Sequence, residues 1–272
     1  MRLSKKFILG ATILLLISMT SLLAPLIAPY NYCEQNLKKR LALPNKENPF
    51  GTDHLGRDLL SRVIWGGRSS VPAAFGGVAL SMLIGILIGT IAGYNKGLID
   101  EILMRITDVF LSLPSFILTI AILSASGVSL KSIALAIAIT NWPKYARMIR
   151  ALTLAIKNEE FIVIPSLTGA SFIYITLKHL LPNTIQPAIV LASFDFGRKL
   201  TWIASFGFLG LGISPPTPEW GSMIKESLPY ALAFPHLIIF PTIPIILTKI
   251  GSVFLGEGLE EIFSKRRETI EL

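Results

Sequence analysis

The chain has little of what redox, metal and hydrolytic proteins are built from. Its 272 residues include one cysteine, Cys33, so neither an intrachain disulfide nor a cysteine cluster for a metal can form. Histidine is almost as scarce: His54, His179 and His236 are too dispersed for one metal site, although imidazole would suit nickel. No GxxxxGK[ST] loop is present to cradle nucleotide phosphates, and no HExxH or GxSxG supplies a hydrolytic centre. Charge is thin as well, at 15% of residues.

What fills the chain instead is apolar: 52% hydrophobic residues and a mean hydropathy of +0.63 exclude one or two soluble domains and indicate an integral membrane protein. The formal charge of +8 suits basic residues at span ends rather than nucleic-acid binding. Six spans are expected, residues 7–27, 71–94, 106–125, 132–149, 185–205 and 231–255, most near the roughly 20 residues that a bilayer requires. The fourth is the weakest, because Lys144, Arg147 and Arg150 crowd its end. The first has a basic start, but its apolar core outruns a signal-peptide core of about 7 to 15 residues and its cleavage pattern is poor, so an anchor is expected. On these spans the chain is an all-α membrane protein with residues 1–28 as anchor, 29–70 as an extracytoplasmic segment, 71–258 as core and 259–272 as a short helical cytosolic tail.

With the amino terminus inside, Arg2, Lys5, Lys6, Lys96, Arg147, Arg150, Lys157, Lys178, Lys265, Arg266 and Arg267 fall on the inner side, as the positive-inside rule asks. Against it, Lys38, Lys39, Arg40, Lys46, Arg57, Arg62 and Arg68 lie in the segment that this topology places outside. That segment reads as a turn feeding an amphipathic helix at the membrane interface, with Leu59, Leu60, Val63 and Ile64 at helical spacing. Asp53 and Asp58 can cap the helix or pair with Arg57 and Arg62, a structural role rather than a catalytic one.

Gly85 and Gly89 in span two give the small-xxx-small spacing of a close helix contact, and Pro114 in span three, beyond Asp108, predicts a kink. Asp195, Arg198 and Lys199 in span five are costly in lipid; they either pair along one helix face or line a watery path. After it, Gly207, Gly210 and Gly212 followed by Pro215, Pro216 and Pro218 predict a rigid outer connection. The polar interruption KNEEFIVIPSLTGASFIYITLKHLLPN, residues 157–183, reads as two short amphipathic pieces hinged at Gly169, the second ended by Pro182.

Three stretches together carry a resemblance: GTDHLGRD at 51–58, the loop with Gly169 and LPN at 181–183, and FLGLGISPPTPEWG at 208–221. In this order and membrane context the chain resembles the permease subunits of binding-protein-dependent ABC importers for dipeptides, oligopeptides and nickel, from about residue 7 to 258. The resemblance implies a type I ABC importer permease fold in a bacterial cell membrane, with both termini cytosolic and the 51–58 motif (Gly51, Thr52, Asp53, Gly56, Arg57 and Asp58) outside. It implies a noncatalytic subunit that holds no cofactor itself. A second, similar permease completes the pathway, two ATPase subunits carry ATP and Mg, and an extracytoplasmic binding protein delivers the cargo.

In such permeases the loop after span four docks on an ATPase, which here implies Glu159, Glu160, Pro165, Gly169, Ala170, His179, Leu181, Pro182 and Asn183. Where the family often shows Glu-Ala-Ala, this chain has Val163, Ile164 and Pro165. A docking helix starting or kinked at Pro165 is therefore expected, with Glu159 and Glu160 supplying the charged contacts. FDFGRKLTWIASFGFLGLG and NWPKYARMIR, at 141–150, resemble the nickel and metal-chelate branch more than the peptide branch, so nickel is the expected cargo and a peptide the alternative. A secondary transporter is the reading of another class, but it requires paired broken helices that the two halves do not show.

Overall fold

A run of small residues along one helix lets a second helix come within backbone contact, and that seam organises the bundle. The computed structural model describes residues 4–95 and 97–270, with side chains through Ser264. Arg2, Lys96 and the side chains of Lys265, Arg266 and Arg267, which enter the charge count above, lie outside the described residues. Among the described residues the chain is helical, without a strand: α1 (Lys5–Leu22), α2 (Ala24–Ile27), α3 (Leu59–Tyr94), α4 (Leu98–Ser112), α5 (Ser115–Ser126), α6 (Leu130–Ile156), α7 (Glu160–Leu167), α8 (Phe172–Ile175), α9 (Leu181–Leu209), α10 (Trp220–Ser227) and α11 (His236–Ile270). Among those residues α1, α3 and α11 are long and apolar enough to cross a membrane, and α4 with α5 make one further candidate bent by 88°. α6 and α9, at 27 and 29 residues, have the length but carry the charges noted above.

The seam joins α3 to α6. A Cβ added at Gly85 would fall 2.3 Å from the Tyr145 Cβ, and one at Gly89 2.5 Å from the Ala146 carbonyl oxygen. Gly77 and Gly93 extend the contact to Ile137 and Thr153, so glycine here is required by close approach rather than by a turn. α1 lies on α11 in the same manner, with Gly10 against the Leu255 backbone and Gly258 against Phe7. Lys6 ties the pair at one end through Glu257 at 2.8 Å and Glu261 at 3.1 Å.

Four expected boundaries shift. The segment 59–70 is not a separate interfacial helix but the first turns of α3, which runs 36 residues straight through Pro72. Its glycine side is packed closely: a Cβ at Gly66 would fall 2.7 Å from the Trp220 ring and one at Gly67 1.9 Å from the Ser21 hydroxyl, while Arg68 is exposed. Span three is broken, not merely kinked. Pro114 holds the N-cap position of α5, and Leu113 before it is extended, the conformation that a following proline imposes. The last span begins at His236, not Ala231, and the tail is not a separate short helix, because α11 continues unbroken to Ile270.

Pro182 does not end a helix. It sits in the first turn of α9, and the wide π turn Thr176–Leu180 joins α8 to α9 just before it. The backbone is already helical before it, and the wide turn accommodates a residue that has no N–H to donate.

Candidate coupling loop and intramembrane polar cluster

The motif GTDHLGRD builds a buried knot. Asp58 is the N-cap of α3, accepting from the Ser61 N–H at 2.7 Å and from Asn48 Nδ2 at 2.8 Å. Asp53 accepts from the Arg57 N–H and Nε at 3.0 and 2.6 Å, and Arg57 reaches on to Glu226 at 2.9 Å. Arg62 lies 3.4 Å from both carboxylates. Thr52 accepts from the Ala42 N–H and donates to the Lys39 carbonyl. Gly51 and Gly56 have φ of +77° and +73°, and a Cβ on Gly56 would meet the Asn36 carbonyl oxygen at 1.8 Å. Gly51, Thr52, Asp53, Gly56, Arg57 and Asp58 are thus all buried in one hydrogen-bonded unit. Asp53, His54 and Glu226 bring ligand atoms within 4.8 Å of one another, but Arg57 and Arg62 already supply the positive charge for both carboxylates. Beyond α9, buried Glu219 caps α10 by accepting from the Gly221 and Ser222 N–H groups at 2.8 Å each. Burial raises its carboxyl pKa, and those bonds oppose the shift.

On α9, Asp195 and Arg198 form the expected i,i+3 ion pair, loosely, while Lys199 takes other partners. Asp195 is buried and accepts from the Tyr145 hydroxyl at 2.6 Å and from Lys144, both on α6. Arg198 stands 3.7 Å from its other oxygen, beyond hydrogen-bond reach. Lys199 turns away from Asp195: it donates to the Asn141 side chain and lies 3.1 Å above the centre of the Trp202 ring. The two stretches NWPKYARMIR and FDFGRKLTW, read separately from the sequence, therefore meet across α6 and α9.

In the loop 157–183, α7 starts at Glu160 with Glu159 at its N-cap position, so the expected start at Pro165 does not occur; Pro165 is its sixth residue. Gly169 makes the turn with φ +84° and open space around it, and the Ser171 hydroxyl caps α8. Ile162, Ile175 and Leu180 form a small buried core against Tyr94, Ile156 and Ala170. His179 lies at the edge of the Tyr174 ring, 5.8 Å between centres, and its carbonyl accepts from Asn183 at 2.7 Å. Leu181 and Pro182 form the start of α9. Glu159 and Glu160 are exposed, but so are apolar side chains: Ile164, Leu167, Ile173 and Leu177 show 57%, 81%, 68% and 62% of their surface.

Sequence reasoning placed the loop and missed this apolar surface, although Phe161, Ile164 and Leu167 recur every three residues and signal it. Glu226 was missed for a different reason: it lies 169 residues from Arg57 and no local pattern marks it.

The comparisons with known proteins agree with this architecture. Residues 85–269 match the family described as "Binding-protein-dependent transport system inner membrane component", and residues 2–44 match the N-terminal TM domain of oligopeptide transport permease C. The dipeptide transport system permease protein DppC of Alkalihalophilus pseudofirmus is 36% identical over 266 residues, 98% of this chain and 88% of that relative. The glutathione transport system permease protein GsiD of Escherichia coli O6:K15:H31 is 37% identical over 256 residues, 93% of this chain and 84% of that one. Among solved structures, inward-facing MetNI methionine ABC transporter has a chain similar in fold, with TM-score 0.55 at 17% identity, covering 73% of this chain and 96% of that one. The chain belongs to the family of binding-protein-dependent transport system inner membrane components, and is a noncatalytic, multi-pass permease subunit of a bacterial ABC importer.

Proposed function

We propose that this permease imports short peptides, with a second permease completing the pathway, two ATPase subunits that bind ATP and Mg docked on the 157–183 loop, and a binding protein delivering cargo. The observation that carries the cargo reading is 36% identity along 98% of the chain to a dipeptide permease, with glutathione permeases among the other relatives. Those names favour the peptide alternative over the nickel expected from local resemblance.

Coupling is mechanical. ATP binding closes the ATPase pair, and the α7–α8 unit follows, because it is fixed to the bundle through Ile162, Ile175 and Leu180. The Lys157 amino group donating to the Gly93 carbonyl at 2.8 Å adds a further tie, to the end of α3. Movement of that unit turns α9, which follows it without a break, and a rigid-body shift of packed helices opens the other side. The test is uptake in a strain deleted for the gene, with and without the restored chain. ATP-dependent uptake of labelled dipeptide is expected on restoration; restored nickel uptake without peptide uptake sinks the reading.

A further inference from the structure

We infer that Arg198, backed by Lys144 and Asp195, forms an anion subsite on the permease that takes the free carboxylate of a short peptide as it crosses. This rests on the peptide reading above and adds to it a recognition chemistry.

Position sets Arg198 apart. α9 is about 43 Å long at 1.5 Å per residue, and Arg198 lies about 25 Å from its start and about 17 Å from its end. An arginine so deep in a long membrane helix does not face hydrocarbon, yet its side chain is 60% exposed in this chain. It faces water or another protein group.

The second step is charge. Asp195 spends its Oδ2 on the Tyr145 hydroxyl, at 2.6 Å, and on Lys144. Its Oδ1 accepts no hydrogen bond, and the Arg198 Nη1 stands 3.7 Å away. Leaving aside buried Lys199, which is committed to Asn141 and Trp202, two cations here face one carboxylate. The surplus is positive, and the guanidinium carrying it is the exposed one. A planar fork of N–H donors matches a carboxylate in two parallel bonds.

The third step is release. A pathway subsite must hold cargo weakly enough to let it leave. Asp195, fixed by Tyr145 and Lys144, keeps a competing negative charge within reach of Arg198, so an arriving carboxylate displaces a loose internal contact and is itself readily displaced.

The experiment uses the assembled importer in detergent without its binding protein, titrated by equilibrium dialysis with a labelled dipeptide and with the same dipeptide as its C-terminal amide. Wild type is expected to bind the free dipeptide at least tenfold more tightly than the amide. Arg198→Gln is expected to erase the difference, and Arg198→Lys to restore part of it. Equal binding of the two ligands by wild type, no binding of either, or a preference that survives Arg198→Gln overturns the subsite. Failure of both variants to assemble also overturns it, because Arg198 is then a structural group. ATP-driven uptake by wild-type proteoliposomes supplied with the binding protein separates the two ideas: dipeptide uptake alongside equal binding of acid and amide removes the subsite and leaves the peptide reading, whereas no uptake of any peptide removes the reading itself.

Discussion

Residues 51–62 bury charge, while residues 160–177 expose hydrocarbon. In the first segment Asp53, Arg57, Asp58 and Arg62 are each almost wholly removed from solvent and satisfied by one another, by Glu226 and by backbone donors. In the second, three apolar residues make a small anchor and a larger apolar set faces outward. Burying charge is costly unless every group finds a partner, so a segment that does it is complete within this chain. Exposed apolar surface in a loop at the end of a bundle is incomplete, and points to a partner. The difference separates a motif satisfied within the chain from a surface that the chain itself leaves open.

Two glycines put that contrast to its strongest test, because both have positive φ and differ only in surroundings. Gly56→Ala drives a methyl to 1.8 Å from the Asn36 carbonyl oxygen, and no folded protein is expected in a fluorescence size-exclusion profile. Gly169→Ala meets open space, so only left-handed strain of about 1–2 kcal/mol remains and the profile should be normal. Equal behaviour of the two breaks the comparison. Next in size is Arg57→Ala, which leaves Asp53 and Glu226 without their main cation. A loss of about 3–5 kcal/mol is expected, read as a lower unfolding midpoint of the purified permease complex. Arg57→Lys should recover little, since one ammonium cannot bridge both carboxylates as the fork does.

How much of this was legible in the sequence follows the same line. The Gly85/Gly89 seam, the presence of a bend at Pro114 though not its 88° break, and the cap at Asp58 each depend on residues within a few positions and were readable. The Glu226 partner and the turn of Lys199 towards Asn141 depend on chain segments brought together only by the fold. The start of α3 was misread for a related reason. Periodicity at Leu59, Leu60, Val63 and Ile64 looks the same whether the other face meets water or, as here, Trp220 and Ser21. Pro165 misled because its local cost was weighed without the helix around it. α7 accepts the lost N–H bond at its sixth residue, and the Ala170 N–H still bonds the Pro165 carbonyl at 2.9 Å.

A smaller effect is expected on assembly alone. Leu167→Asp alters a side chain with 81% of its surface exposed, so the stability of the permease should change by less than about 0.5 kcal/mol. Co-purification of the ATPase subunits should nevertheless fall at least tenfold, because a charge replaces the most exposed apolar side chain of the loop. Retained ATPase would mean that the apolar surface is not where docking occurs.

The smallest effect is expected from the two carboxylates at the start of α7. Glu159 and Glu160 are exposed at the start of α7 and were the charged contacts first expected to hold the ATPase. Exposed ion pairs contribute about 0.2–1 kcal/mol each, and added salt weakens them further by shortening the Debye length from about 8 Å at physiological ionic strength. The double change Glu159→Ala, Glu160→Ala should therefore weaken ATPase binding only a few-fold, and the difference from wild type should vanish in high salt, whereas the loss from Leu167→Asp should persist. A salt-independent loss as large as that of Leu167→Asp would place the grip in the carboxylates. No loss at any salt would remove them from the interface, and the loop would then dock through its apolar side chains alone.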